Sequence, residues 1–463
     1  MLDKIFHPQV KHISVSALII GFFYFFSAIL GLLRDRLLAG RFGAGSELDI
    51  YFAAFRIPDF IYNILILGGL TVAFIPLFSE YFLKDKEEAW KMVNYVLNVF
   101  FLFLVSASLI LLIIAPWLIK QIFPGFGPEE QKLAISLVRL LLLSPIFFGI
   151  SNVFSGILQY FNRFFIYGLT PILYNLGIIF GIIFLSPYFG IFGVAMGVVI
   201  GAFCYMLIQF LASIKCGFSY KFLFDFKYPA VKRIFTLMMP RVFGIAAQQI
   251  NLIIFTAIAS TISAGAIAIF NFSNNLQGLP VGLVGASFAI AIFPSLSKNW
   301  ASNQKSEFVQ NFSLIFRQII LLTVPISVFL FLLRNQIVSL ILKTGQFGAF
   351  ETKLTAACLG IFAFSIFAQS LIPLLARAFY SFQDTKTPTI IAITCITLNI
   401  ILAYSFVNLL GFSNSFSNFL KDAFELTAIK NIAVIGLPLA FSISAIFHFS
   451  LLFIMFKLRT KKI

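Results

Sequence analysis

The chain has 463 residues, of which 60% are hydrophobic and 11% are charged, and its formal net charge is +16. A soluble domain carries roughly 25% charged residues. This composition therefore excludes a soluble protein and predicts a membrane protein. The positive charge does not indicate a nucleic-acid partner, because apolar runs recur along the whole chain and leave no large soluble domain. Basic loops that face anionic lipid headgroups explain it better.

Hydropathy and turn-forming residues predict about twelve transmembrane helices. We place them at 13–40, 49–82, 90–119, 131–160, 165–186, 189–214, 232–262, 265–297, 308–342, 353–382, 387–410 and 431–457. Lysines and arginines concentrate in the loops on one side of this arrangement, which the positive-inside rule assigns to the cytoplasm. An even number of spans then places both termini in the cytoplasm.

The first two spans are joined by the unusually charged stretch LGLLRDRLLAGRFGAGSELDIYFAAFRIPDF, whose glycines predict a helix break. Arg34, Asp49, Arg56 and Asp59 lie there near membrane depth, where a charge is costly unless it faces a wet cavity or a partner. Two interpretations stay open. The charges form structural pairs, Arg34 with Asp49 and Arg56 with Asp59. Alternatively, the arginines line a cationic cavity and hold an anionic headgroup by forked hydrogen bonds.

The two halves of the chain resemble each other. AFIPLFSEY (73–81) matches AIFPSLSKN (291–299), and KLAISLVRLLLLSPIF matches KLTAACLGIFAFSIF at an offset of 221 (353 − 132). QYFNRFFIYGLTP and YSFQDTKTP both lead through a polar turn to a proline. The repeat predicts an all-α polytopic membrane protein with two six-helix lobes related by a pseudo-two-fold axis along the membrane normal.

The basic interruption at 215–233 is the natural boundary of the repeat, so we predict an N-terminal lobe at 1–222 and a C-terminal lobe at 223–463. Such duplication is typical of alternating-access transporters with a central site. The alternative is duplication in a protein that does not transport, because a repeat is an architectural feature and not a function.

Further arginines lie inside predicted spans, at Arg139, Arg241 and Arg377. Each either extends to an interface or, together with the others, favours an anionic substrate. The amide-rich stretch FNFSNNLQGLP contains Asn274 and Asn275. These amides either form interhelical hydrogen bonds or contact a sugar or peptide headgroup.

Cysteines and histidines indicate no metal chemistry. The four cysteines, which lack paired spacing, read as small buried hydrophobic residues, and the three histidines are scattered, so any metal ligand is unknown. The chain shows no P-loop for ATP, which leaves membrane potential or a monovalent cation as the energy source, without a cofactor.

Five segments together resemble one family: FSAILGLLRDRLLAGRFGAGSELDIYFAAFRIPDF, AFIPLFSEY, NNLQGLPVGLVGASFAIAIFPSLS, TGQFGAFETKLT and RAFYSFQDTKTP. They look like the lipid II flippases of the MurJ (MviN) type, in the multidrug/oligosaccharidyl-lipid/polysaccharide exporter (MOP) superfamily that also includes MATE transporters. The resemblance covers essentially the entire chain. It implies two six-helix lobes around a central cavity, and a bacterial cytoplasmic membrane.

The resemblance also implies roles for individual residues. Arg34 occupies the position of a cavity arginine, Ala39 that of a small cavity-lining residue, and Asp49 an acidic position near the outer end of the cavity. Arg56 falls where the family has a basic residue, and Asp384 in DTKTP matches a cytoplasmic-side motif.

Departures from the family pattern concern mainly the substrate. Ala28 stands where the family has an arginine. In the second span, Tyr62 (or Asn63) replaces a basic residue and Leu67 replaces an acidic one. In the eighth span, Asn274 and Asn275 replace a charged pair, and Gly278 stands at another acidic position. Arg139, Arg241 and Arg377 are candidates to compensate. The sequence runs through a twelfth span, whereas well-known relatives have two further helices that form a groove for the lipid tail.

The leading hypothesis is a flippase, not an enzyme, that moves a polyprenyl-pyrophosphate-linked peptidoglycan precursor (lipid II) to the outer leaflet by alternating access. Its implied partners are that lipid, membrane lipids and cell-wall synthesis proteins, with no nucleic acid. One alternative is an exporter of another lipid-linked oligosaccharide or a MATE-like antiporter. Another is a membrane scaffold that does not transport.

Overall fold

The structure is a computed structural model that describes residues 13–64 and 70–460. Throughout this part of the chain the regular secondary structure is helical, and no strand occurs. The chain divides into two compact units. Unit 1 comprises the described part of 1–41 with Ile50–Ile253, and unit 2 comprises Phe42–Asp49 with the described residues from Ile254 onward.

Among the described residues before 261 there are ten α-helices, and a π-helix at Gly181–Leu185 continues the seventh. They are α1 Ile13–Phe42, α2 Ser46–Ile61, α3 Thr71–Lys84, α4 Lys86–Ile122, α5 Pro128–Leu141, α6 Leu143–Tyr160, α7 Phe164–Phe180, α8 Ser186–Phe189, α9 Ile191–Lys215 and α10 Pro229–Ser260. The predicted helix break falls between α1 and α2, as the glycine-rich turn requires.

Nine further α-helices follow between residues 261 and 460, the part of the chain described there, with a π-helix at Val281–Ala286 and a 3₁₀ turn at Ala433–Ile435. They are α11 Ala266–Pro280, α12 Ser287–Ala301, α13 Lys305–Leu332, α14 Arg334–Leu342, α15 Ala349–Ala363, α16 Ile366–Ser381, α17 Lys386–Gly411, α18 Ser415–Ala423 and α19 Gly436–Thr460.

Most of the predicted spans coincide with helices of membrane-spanning length. In the described residues, eight helices are long and apolar enough to cross a bilayer, and α15 with α16 forms a ninth span bent by 46°. The predicted spans at 13–40, 49–82 and 232–262 are not among these nine. They overlap α1, α2 with α3, and α10, and stay predictions.

The core of unit 1 contains an aromatic cluster in which Phe74 and Phe78 are fully buried and stack with ring centroids 5.7 Å apart. The start of α10 packs into this cluster through Ala230, Val231 and Ile234. Unit 1 therefore extends to Ile253, beyond residue 222. The lobe boundary at 222 describes the sequence repeat, and it stays a prediction.

Helices α7 and α9 pack so closely that their backbones touch. Glycines of α9 recur every fourth residue, and a Cβ added to Gly197 would meet the Gly181 Cα at 2.7 Å and the Gly177 carbonyl oxygen at 2.6 Å. Small residues at this spacing let membrane helices approach within van der Waals contact. The sequence analysis did not single out this glycine row.

The segment after α9 is tied along α4 by two asparagines one helical turn apart. Asn94 donates to the Ser219 carbonyl at 3.0 Å and accepts from the Lys221 amide at 2.8 Å. Asn98 donates to the Lys221 carbonyl at 3.2 Å and to the Leu223 carbonyl at 2.9 Å. An extended chain without a neighbouring strand thus obtains main-chain partners from side chains.

The sequence repeat reappears as two matching turns. Helix α6 ends with Asn162 at φ +55°, and the Arg163 amide donates to the Leu158 carbonyl at 2.8 Å. Helix α16 ends with Gln383 at φ +59°, and the Asp384 amide donates to the Phe379 carbonyl at 3.0 Å. Each is a helix end in which a left-handed residue lets the next amide reach back five positions. Their offset of 221 (384 − 163) equals that of one pair of repeated sequence segments.

Candidate substrate site

Arg34 is held by two neighbours in unit 1. Its Nε and Nη2 donate to Oδ1 of Asp35 at 3.0 and 2.8 Å, and its Nη1 donates to Oδ1 of Asn175 on α7 at 3.2 Å. Asn175 in turn donates to the Ser27 carbonyl at 3.2 Å. Asn175 was not predicted from sequence, where its only signal is a polar residue in an apolar span.

The Arg34 side chain is still 24% exposed. A guanidinium has five N–H donors, and three are used in these contacts with the described residues. One N–H on each terminal nitrogen is left, which is the fork that binds phosphate oxygens.

Asp49 is buried in unit 2 and caps α11. Its Oδ2 accepts from the Gly265 amide and its Oδ1 from the Ala268 amide, both at 2.7 Å. A carboxylate at a helix N-terminus satisfies amides that have no partner inside the helix and interacts favourably with the helix dipole. One interpretation of the sequence paired Asp49 with Arg34. The contacts that the structure describes for these two residues are with other groups.

Gly265 permits this cap. It has φ +86°, and a Cβ added there would lie 2.1 Å from the Ala44 carbonyl oxygen. Only glycine combines that backbone conformation with so close an approach.

Arg56 and Asp59 are both partly buried on α2. The two interpretations, a structural pair and a cavity contact for Arg56, both stay predictions. The Asp59 carbonyl also accepts from Asn63 Nδ2 at 2.8 Å.

The amide-rich stretch of α11 forms hydrogen bonds along its own helix. Asn271 Nδ2 donates to the Ile267 carbonyl at 2.8 Å, and Gln277 Nε2 donates to Asn274 Oδ1 at 3.0 Å. Asn274 and Asn275 are partly buried. Gln277 Oε1 is buried and has no partner in the described part of the chain. Both predicted uses of the amides, interhelical hydrogen bonds and a headgroup contact, stay predictions.

Three other predicted site residues differ in their surroundings. Arg377 donates to the Ala289 carbonyl at 3.0 Å and lies over the Phe293 ring, so it ties α16 to α12. Ala39 is completely buried, and a substrate contact there would require the residues that cover it to move. The side chain of Arg241 lies outside the described part of the structure.

The described residues contain no group of three or more histidine, cysteine, aspartate or glutamate side chains suited to a metal ion. The four cysteines are free, with Cys358 and Cys395 buried and Cys204 and Cys216 partly buried. Two residues predicted from sequence, Arg34 and Asp49, each belong to a local group: Arg34 with Asp35 and Asn175 in unit 1, and Asp49 with the α11 N-terminus in unit 2.

Comparison with known proteins identifies the family. A family model described as lipid II flippase MurJ matches residues 38–415, which is most of the chain. The chain belongs to the lipid II flippase MurJ family. The predicted family is therefore confirmed.

Curated MurJ relatives match over most of their length. A probable lipid II flippase MurJ of Buchnera aphidicola is 30% identical over 388 residues, covering 83% of this chain and 76% of the relative. The lipid II flippase MurJ of Burkholderia cenocepacia is 28% identical over 398 residues, covering 84% and 77%.

Solved structures confirm the fold class. A lipid II flippase MurJ in an inward closed conformation has a TM-score of 0.77 at 26% identity and covers 95% of this chain and 87% of its own. A MATE-family transporter of the MOP superfamily in an inward-facing conformation has a TM-score of 0.76 at 16% identity, covering 94% and 95%. The second likeness concerns the fold alone. This is the fold class predicted from sequence, an all-α, multi-pass membrane protein of the MurJ and MOP type.

Proposed function

We propose that this protein moves a polyprenyl-pyrophosphate-linked peptidoglycan precursor, lipid II, from the inner to the outer leaflet of the bacterial cytoplasmic membrane by alternating access. The single observation that carries the proposal is the MurJ family match over residues 38–415. The likeness to a solved MurJ flippase over 95% of the chain supports it.

Arg34 is the side chain best suited to recognise the pyrophosphate. It keeps one N–H on each terminal nitrogen beyond its contacts with Asp35 and Asn175, and 24% of its side chain is exposed. Asp35 lowers the cost of an arginine at membrane depth while no substrate is bound. An incoming pyrophosphate then binds the two remaining N–H groups while Asp35 keeps its hydrogen bonds to Arg34, so neither charge is left bare when the substrate arrives or leaves.

The protein's work is translocation, and no covalent bond of the lipid is broken. Both termini are cytoplasmic in this proposal, and transport draws on membrane potential or a monovalent cation. Membrane lipids surround the protein, and cell-wall synthesis proteins deliver or receive the substrate.

The test is flipping of lipid II by the full chain reconstituted in liposomes, read out by its accessibility to an enzyme added outside. We expect Arg34→Ala to abolish flipping, and Arg317→Ala, which removes an exposed arginine of α13, to leave it unchanged.

A second variant separates recognition from folding. Arg34→Ala with Asp35→Asn removes both charges and leaves no unpaired carboxylate, so it should fold as well as the parent chain and still fail to flip. Normal flipping by this double variant would show that Arg34 only neutralises the charge of Asp35 and does not recognise the substrate. Failure of the unmodified chain to flip lipid II would overturn the proposed function itself.

A further inference from the structure

A groove opens between the start of α7 and the last two turns of α9 in unit 1, with a volume of about 430 Å³. Its apolar walls include Ile166, Ile208, Leu211 and Ile214, and its charged lining residues within the described part of the chain are Arg163 and Lys215. Each described residue that lines it is either apolar or basic. None of them belongs to the predicted substrate site.

Arg163 is placed in an unfavourable electrostatic position. It is the residue immediately before α7, where the helix dipole is positive, and its Nη1 is buried without a hydrogen-bond partner among the described residues. The thiol of Cys216 is the neighbour that its charge influences. A buried guanidinium nitrogen without an acceptor is costly, and an anion in the groove would supply one.

In unit 2, the position that corresponds to Arg163 is occupied by an acidic side chain, Asp384. Asp384 lies in the turn that matches the turn of Arg163, at an offset of 221 (384 − 163). It faces Arg459 in the last turn of α19 at 3.6 Å, and Arg163 lines the groove together with Lys215 at the end of α9. The acid of the unit 2 turn, Asp384, therefore corresponds to a base, Arg163, in unit 1.

The apolar part of the groove indicates the rest of the ligand. Leu211 and Ile214 are 50% and 45% exposed, although they lie on α9, a helix long and apolar enough to span a membrane. Their surroundings are therefore acyl chains. Basic pockets beside transmembrane helices at the cytoplasmic side bind lipid headgroups, and the positive-inside rule places the end of α9 on that side.

We propose that this groove binds the phosphate of an anionic phospholipid from the cytoplasmic leaflet. Arg163 and Lys215 hold the phosphate oxygens, and one acyl chain lies along the apolar wall between α7 and α9. The site is independent of the proposed lipid II translocation, since binding here is measured without any flipping.

The test is titration of the purified full chain in detergent with phosphatidylglycerol, with bound lipid counted by native mass spectrometry. We expect Arg163→Gln combined with Lys215→Gln to weaken binding about tenfold or more, because two charge-assisted contacts are lost. Arg163→Asp recreates the pairing of unit 2 and should weaken it as much. Arg163→Lys should retain most of the binding.

Lys221→Gln is the matched control. It removes one positive charge from an exposed side chain in the segment after α9 that does not line the groove, and binding should not change. Equal phosphatidylglycerol binding by the parent chain and the double variant would overturn the proposal.

Two competitors distinguish the source of the phosphate. Inorganic phosphate and undecaprenyl pyrophosphate are each added against bound phosphatidylglycerol. Displacement by equimolar inorganic phosphate would overturn a lipid site, and preferential displacement by undecaprenyl pyrophosphate would overturn the assignment to a phospholipid. Persistence of phosphatidylglycerol against both supports it.

Discussion

Asp49 accepts a hydrogen bond from the main-chain amide of Gly265 at 2.7 Å, across 216 positions of sequence. The same carboxylate binds the Ala268 amide, so one side chain at the start of α2 satisfies two free amides of α11. Residues 42–49 belong to unit 2 in consequence, although the chain on either side of them belongs to unit 1.

Replacing Asp49 by Asn should loosen the first turn of α11. The amide oxygen accepts only one of the two hydrogen bonds and carries no charge toward the helix dipole, so we expect a loss of about 1–2 kcal/mol. Hydrogen exchange of the full chain in detergent should show faster exchange at Gly265 and Ala268. Glu47→Asn, at an exposed position on the same helix, is the control, and equal exchange in both variants would contradict the cap.

Gly197→Ala should destabilise the contact between α7 and α9. The added methyl group would lie 2.6 Å from the Gly177 carbonyl oxygen, and such overpacking typically costs about 1–3 kcal/mol. The thermal midpoint in detergent should fall. Gly31→Ala adds the same methyl group to α1 where no heavy atom lies within 4 Å, and a similar fall there would show that glycine loss alone matters.

Asn98→Ala should release the segment after α9 from α4. Its side chain holds the Lys221 and Leu223 carbonyls, and the Tyr220 hydroxyl donates to it at 3.0 Å. We expect limited trypsin digestion to cleave after Lys221 several-fold faster than in the parent chain. Asn418→Ala removes an exposed asparagine of α18 and should leave the digestion rate unchanged. Unaltered cleavage in the Asn98 variant would argue against the tie.

Asp384 predicts a pH dependence at the start of α17. Burial works against ionisation, but hydrogen bonds from Thr387 and the charge of Arg459 outweigh it, so the pKa of Asp384 lies below its ordinary value. An unfolded aspartate titrates near about 3.9, so the stabilisation is complete above that pH and is lost as the pH falls through the lower folded pKa.

The measurement is the thermal midpoint in detergent from pH 7 to about pH 3. Near neutral pH, the thermal midpoint of the parent chain should lie above that of Asp384→Asn by a constant amount. In acid, the two midpoints should converge. The exposed Asp422 serves as the control, because Asp422→Asn removes one carboxylate and leaves the contacts of Asp384 in place. A gap between parent and Asp384→Asn that widens in acid would contradict this assignment.

Local pattern was enough to predict most of the helices and the repeat. Apolar runs of bilayer length correspond to helices of spanning length at nine predicted positions, because a helix in lipid must satisfy its own backbone. The polar turns before Pro171 and Pro388, matched in sequence, fold as the same left-handed helix end. These features depend on residues a few positions apart, which sequence displays directly.

The partners of the buried charges were decided by tertiary structure. Sequence placed Arg34 and Asp49 in the same charged stretch, but Arg34 contacts Asn175, 141 positions away, and Asp49 contacts Gly265, 216 positions away. A buried charge binds whichever complementary group the packing brings within hydrogen-bond distance, and hydropathy contains no information about that choice. The same holds for Arg163 and Lys215, which are 52 positions apart (215 − 163) and line one groove where α7 and α9 pack against each other.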